Sequence, residues 1–408
     1  MTNPRGSVHV TVVGPSGSAA VGATVVFVDP DGAVVKTAAT DSGGKADAEV
    51  LPGASVTTVI RSFATVQMRT TLAIEPGDDL VIGPKASDMH TLGQFTLSWP
   101  DAPNHATTFS VYGPCGFAGT TTYDPTGPSP TAPTSLTFDV RNGCETNSAE
   151  FVVWARGHDG ISLQFNDSTN IPFEVGNSFS TSSAWDRQGF NASFTNVSSI
   201  STITADRIVP DGGLSMPVTM AASNPTVIGF ASSRGATARV MSTFNAISGA
   251  TQTVRQKIPG DSTTYSVDVA GTLLAWLDTP TFSAATQEFQ LVKAAASAGG
   301  SVDPDLLRIE ASWQRPSVHY SWEVFGPDTN TVTLPNLPAA LDAELKPTAA
   351  DMVHVSAISY EADTIPNYDS ARANIGAAIN DTFEAPRSPA ALIRVSKSPS
   401  LPPPPNAE

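Results

Sequence analysis

The chain has 408 residues and a formal net charge of −16; it contains 31 Gly and 33 Pro, and only 15% of its residues are charged, against about 25% in an average soluble protein. No stretch approaches the roughly 20 apolar residues of a membrane-spanning helix, and no heptad pattern is sustained, which excludes a coiled coil. The hydrophobic 40% lies in short runs separated by turn residues, the pattern of an all-β chain rather than a disordered one.

Residues 7–83 read as strands punctuated by turns. Ser7–Val13 alternates apolar and other residues, the period of a half-buried strand. Gly14-Pro15-Ser16-Gly17 turns the chain into a second run, Val21–Val28, and Asp29-Pro30-Asp31-Gly32 is a hairpin signal leading into Ala33–Ala39. Thr40–Lys45 turns again, and strands follow over Val56–Ile60, Val66–Ile74 and Leu80–Ile82. The order of Ser7–Val13, Val21–Val26, Asp29–Gly32, Thr40–Lys45 and Val50–Gly53 resembles the carboxypeptidase regulatory-like domain. That resemblance implies a transthyretin-like seven-stranded sandwich, usually an accessory or surface module without catalytic residues of its own.

Over residues 90–185, Phe95–Trp99, Thr108–Tyr112 and the late run Ala149–Ala155 resemble a fibronectin type III-like sandwich, with Phe151 where that family carries Tyr. Pro125–Pro133 contains four prolines and reads as a loop. It lies between the only two cysteines, Cys115 and Cys144. An even count without CxxC or a Cys/His cluster points to a structural disulfide, with two buried free thiols as the alternative. A bridge closing about 30 residues is worth roughly 3–4 kcal/mol in the chain-entropy model and implies an oxidising compartment.

Residues 186–280 carry seven candidate strands at sandwich spacing, from Phe190–Phe194 to Thr264–Val269. Residues 281–395 resemble a second fibronectin-like unit: Tyr320–Pro327 parallels Thr108–Pro114, and Glu288–Leu291 parallels Gln94–Leu97. Ser370–Ile379 is the one short helix expected. The end, Pro399 to Pro405, reads as an extended polyproline tail. The expected organisation is therefore a tandem array of immunoglobulin-like β-sandwiches. Its boundaries are 1–86 (carboxypeptidase regulatory-like), 87–185 (fibronectin type III-like, with the cysteine pair), 186–280 (sandwich of unknown type) and 281–397 (fibronectin type III-like), followed by a disordered tail, 398–408.

The acidity is concentrated in residues 89–185 (net −6) and 298–408 (net −7). Such surfaces repel phosphate, which argues against nucleic acid as a partner. No HExxH, nucleophile elbow, Walker loop or dinucleotide fingerprint is present, so neither a catalytic residue nor a cofactor or metal site is expected. The close carboxylate pairs Asp29/Asp31, Asp78/Asp79, Asp303/Asp305 and Glu361/Asp363 lie at turns and strand ends, where Asp bonds its own backbone. Of the six tryptophans, Trp99 and Trp322 read as core; Trp185 and Trp276 fall near unit junctions, as packing or as a sugar-binding platform. Met1-Thr2-Asn3-Pro4-Arg5 lacks the apolar region of a signal peptide, and the expectation is an exported chain whose signal has been removed, extracellular or at the cell surface, with a cytoplasmic chain as the alternative. The functional reading is a non-catalytic protein of display, adhesion or binding with a protein or glycan ligand. The alternative is an accessory carbohydrate- or peptide-binding region of an extracellular hydrolase.

Overall fold

The computed structural model describes residues 4–14, 16–83, 91–100, 106–112, 118–122, 133–141, 146–157, 163–181, 190–197, 200–208, 218–221, 226–229, 237–259, 262, 264–294, 303–384, 388 and 390–399. The chain is all-β, with short helical turns confined mainly to its last third.

Residues 6–82 form a two-layer sandwich of seven strands. One layer holds Lys45–Val50, Gly6–Val12 and Asp79–Ile82; the other holds Thr65–Ile74, Ala54–Arg61, Thr24–Val28 and Val34–Ala39. The alternation in Gly6–Val12 sends Val8, Val10 and Val12 inward against Val25, Phe27, Val56 and Leu80. Residues 91–181 repeat the three-plus-four arrangement: Ser135–Arg141, Thr91–Ser98 and Ser178–Ser180 face Ala118–Thr122, Ala106–Tyr112, Thr146–Gly157 and Leu163–Phe173. Their core centres on Phe95, Phe138, Phe151 and Phe173, with ring centroids 5.1 to 5.9 Å apart. Within residues 190–268, Thr226–Gly229, Phe190–Thr195 and Thr264–Asp268 oppose Val218–Ala221, Ile200–Ile208, Thr237–Ala246 and Thr251–Pro259. All seven strands expected there are present.

The last unit supplies another four-stranded layer, Leu392–Lys397, His354–Ala362, Leu306–Arg315 and Val318–Gly326. This layer does not stand alone. Leu392–Lys397 pairs antiparallel with Thr251–Pro259, and Val318–Gly326 pairs parallel with Thr65–Ile74. Three four-stranded layers thus join edge to edge into one twelve-stranded sheet. The four joined edges no longer expose unpaired N–H and C=O groups.

The expectation of serial sandwiches contained no such junctions, and their physical cause is a second apolar face. In Val25-Val26-Phe27-Val28 every side chain is buried: Val25 and Phe27 face the first sandwich's own core, while Val26 and Val28 face the last unit. Val59, Val66 and Met68 join Val26 and Val28 against Leu307, Ile309, Trp313, Trp322 and Leu334 in a single shared core. Trp322 Nε1 donates to Thr70 Oγ1 at 2.8 Å, which satisfies a polar atom that this burial would otherwise strand.

The far face of the last unit's layer is half covered by a helical arm. Tyr368–Arg372, Ile375–Ala377 and a π-type turn, Ala378–Phe383, run across it, where Ser370–Ile379 was expected as one helix. Tyr368, Ile375, Ile379 and Phe383 pack there on Leu306, Phe325, Ile358 and Tyr360. The arm also grips the first sandwich: Arg372 Nε lies 2.8 Å from Asp78 Oδ2, and Tyr368 Oη donates to the Leu72 carbonyl at 2.8 Å. A helix at Ala339–Leu345 was not expected, nor were the strands Leu306–Arg315 and Leu392–Lys397. Residues 400–408 of the proline-rich tail and residues 125–132 of the proline-rich loop lie outside the described residues.

Candidate ligand groove

Beyond the helical arm the same sheet face is open. A cavity of about 390 Å³ lies over four adjacent strands, and its floor is built from side chains alternating with the shared core beneath. Trp313, Trp322, Ala311, Val355 and Met68 point down into that core. Glu310, Ser312, Ser321, Glu323, Arg69, Gln67, His354 and Ser356 occupy the alternate positions and face the cavity.

Strand register sorts these eight into two cross-strand rows. The first runs Ser356, Glu310, Glu323, Arg69. The second runs His354, Ser312, Ser321, Gln67. In the first row every side chain is engaged. Ser356 Oγ donates to Glu310 Oε2 at 3.1 Å, and Arg69 Nε lies 2.5 Å from Glu323 Oε2. Arg308, one step closer to the arm, approaches Glu310 to 2.6 Å and also pairs with Glu323. Burial opposes the Arg308 charge, but Glu323 and Glu310 outweigh it and hold the guanidinium more firmly protonated. Two carboxylates and two guanidiniums therefore balance. In the second row none of the four side chains has a hydrogen-bond partner among the described residues, and the Nε2 of His354 is buried without one.

Two smaller cavities adjoin this one at Arg69. One, about 170 Å³, lies under the helical arm between Phe325, Ile379 and Glu384. The other, about 250 Å³, reaches the end of the first sandwich at Val12, Val13, Ile82 and Gly83. Gly83 has φ +150°, and a Cβ there would meet the Val13 carbonyl oxygen at 2.2 Å, so this wall requires glycine. The groove thus has walls from residues 12–83 and 375–384 and a floor from residues 67–69 and 308–356. It exists only because Val318–Gly326 pairs with Thr65–Ile74.

Ser312 and His354 are cross-strand partners, which sets a hydroxyl beside an imidazole, but no hydrogen bond joins them. The N–H groups of these interior strands are committed to the ladder, so the floor offers no backbone donors for an oxyanion.

The residues singled out in sequence fall elsewhere. Cys115 and Cys144 lie outside the described residues. Trp99, Trp276, Trp313 and Trp322 are buried and provide no platform; Trp185 lies outside the described residues. The carboxylate pairs do structural work. Asp29 accepts from the Leu51 N–H at 2.9 Å and pairs with Arg5, and Asp31 accepts from the Ala33 N–H. Asp78 pairs with Arg372 and Glu361 with Arg394. Buried Asp305 accepts from the Ala362 N–H at 2.8 Å; burial pushes its carboxyl up to about 6, with Glu361 adding to the rise. Among the described residues no group of three or more His, Cys, Asp or Glu is arranged to hold a metal ion, and no helix is long and apolar enough to cross a membrane.

The chain matches no known protein family and no curated protein. Among solved structures it is similar to the Bacillus anthracis TIE protein, with 10% identity over 65% of this chain and 50% of that chain, at a TM-score of 0.16. It is similar to a Streptococcal ancillary pilin, with 12% identity over 65% of this chain and 98% of that chain, at a TM-score of 0.16. The pilus adhesin SpaC from Lactobacillus rhamnosus GG gives 10% identity over 82% of this chain and 44% of that chain, at a TM-score of 0.14. This chain spans about half the length of the first of these proteins.

Proposed function

We propose that this chain is a non-catalytic β-sandwich protein of the cell surface or the extracellular space, acting in display, adhesion or binding, and that the groove over residues 310–323 is its ligand site. One observation carries the reading: a fixed floor of eight polar side chains, half of them unpartnered, lies open on a sheet that two distant parts of the chain build together. A rigid, preformed cleft with few convergent polar groups is the usual form of a binding site. The absence of a bonded nucleophile–base pair on that floor supports binding over catalysis. The net charge of −16 supports partners other than nucleic acid.

Residues 7–83 we assign to the carboxypeptidase regulatory-like group, supported by their seven strands in two layers. A disulfide between Cys115 and Cys144 fits the oxidising compartment expected of an exported chain. Mass measurement with and without reductant tests it: two free thiols in protein kept under non-reducing conditions would rule it out. For the site, Ser321→Trp fills the middle of the floor. Screening the full chain against a panel of glycans and peptides should find a ligand that this variant fails to bind. If every ligand found binds the variant as well as the parent, the groove is not the site.

A further inference from the structure

We infer that the groove takes a neutral, hydroxyl-rich chain, an uncharged oligosaccharide, laid across the strands along His354, Ser312, Ser321 and Gln67. This deepens the reading of the groove as a ligand site and rests on it.

The first argument is charge. Glu310 and Glu323 are matched by Arg308 and Arg69 within the floor itself. A charged ligand would meet no unmatched countercharge there and would compete with ion pairs already formed. What the floor offers unpaired and open to the cavity is two hydroxyls and one amide; the Nε2 of His354 lies buried beside them without a partner. Both hydroxyls and the amide can donate or accept, which suits sugar hydroxyls. Leaving such groups unsatisfied under a ligand costs more than pairing them, so a ligand that bonds them is selected over one that covers them.

The second argument is shape. These four residues lie on four neighbouring strands, so the row crosses the sheet at about 4.8 Å per step and spans roughly 14 Å. One step is about the length of one sugar ring, and the row accommodates about three. The central positions are both serine, the shortest of the four, which leaves the depth of the cavity over the middle of the row.

A peptide fits less well. Extended peptides bind by adding to an exposed sheet edge, with pockets for alternate side chains. The floor strands are interior to the twelve-stranded sheet, and the apolar side chains near them point into the core below. A peptide laid along this row finds no free backbone ladder, and the apolar walls at Phe325 and Ile379 and at Val12 and Ile82 lie in the adjoining cavities rather than over the row.

The test uses the full chain, titrated with cello-, chito- and manno-oligosaccharides of about four to six sugars, with an oligogalacturonate as the anionic probe and a Gly/Ser peptide as the neutral non-sugar probe. Calorimetry gives affinity, and amide shifts of Ser312, Ser321 and His354 report the location. A neutral oligosaccharide should bind with shifts at those residues, and Ser312→Ala/Ser321→Ala should weaken it about 10-fold, the loss of roughly 1.4 kcal/mol of hydrogen bonding. The melting temperature of the double variant checks that it is folded, and Ser321→Trp should abolish the shifts. Groove shifts with the anionic probe or the peptide, and none with any neutral sugar, would overturn this inference while leaving the groove a ligand site. No groove shift with any probe would overturn both.

Discussion

Residues 91–181 and residues 6–82 are both sandwiches of seven strands, four in one layer and three in the other, yet they treat the four-stranded layer differently. In residues 91–181 that layer is a complete sheet with two outer strands, Ala118–Thr122 and Leu163–Phe173, and the core draws on that unit alone. In residues 6–82 the corresponding layer continues through Thr65–Ile74 into the last unit and is buried on both faces. A single apolar face makes a self-contained sandwich; a second one commits the sheet to a partner. The groove is a product of that commitment, because Gln67 and Arg69 of its floor come from the first sandwich, the other six from the last unit, and none from residues 91–181.

This contrast predicts two separable unfolding events, and substitutions should act on one or the other. The largest effect is expected for Trp322→Ala. It empties a fully buried site in the shared core and removes one of the two hydrogen bonds of the Thr70 hydroxyl, which keeps Thr57 Oγ1 as a partner, at a cost of about 4–5 kcal/mol. Calorimetry should show the transition of residues 6–82 and 277–397 shifted as one, with that of residues 91–181 in place. Phe151→Ala is the converse. It removes a ring from the aromatic cluster of the second sandwich and should cost about 3–4 kcal/mol there alone.

Asp305 gives a pH-dependent test confined to the fused region. Its folded carboxyl titrates near 6 against 3.8 when unfolded. The folded state therefore holds the proton more tightly between these values, and the stabilisation is complete below about pH 4 and lost as pH rises through 6. The difference amounts to at most about 3 kcal/mol. Asp305→Asn should flatten this slope in urea midpoints measured from acid to neutral pH, and be the more stable form at pH 7 relative to the parent's own trend. Arg372→Met should cost about 2 kcal/mol, because it leaves Asp78 without its partner; faster hydrogen exchange in Tyr368–Arg372 is the readout. The smallest effect belongs to Arg61→Ala. Its bond to Glu344 also crosses between the two units, but both side chains are well exposed, and less than about 1 kcal/mol is expected.

How much of this was legible in the sequence follows from how local each signal is. Strand positions in residues 6–82 and 190–268 were readable, because alternation and turn residues act within a few positions. The second buried face was also written in the chain: Val25-Val26-Phe27-Val28 is a continuous apolar run, as strands covered on both sides are. Read as an ordinary sandwich strand, it conceals the junction. The helix Ala339–Leu345 follows Pro338 and consists mostly of strong helix formers, a signal obscured by reading residues 281–395 as one all-strand fibronectin-like unit. The groove had no local signal. Glu310, Ser312, Ser321 and Glu323 alternate as any solvent-facing strand residues do, and only pairing with residues some 250 positions away turns them into the floor of a cavity.

The parallel pairing of Thr65–Ile74 with Val318–Gly326 is the joint on which the shared core and the groove both depend, and amide hydrogen exchange along Thr65–Ile74 tests it directly. Successive N–H groups in that strand point alternately to Ala54–Arg61 and to Val318–Gly326. Protection of both sets to the same degree is the predicted result. Slow exchange on the Ala54–Arg61 side, with the alternate amides exchanging as fast as those of the outer strand Val34–Ala39, would show that Thr65–Ile74 is a free edge in solution and would contradict the fused sheet.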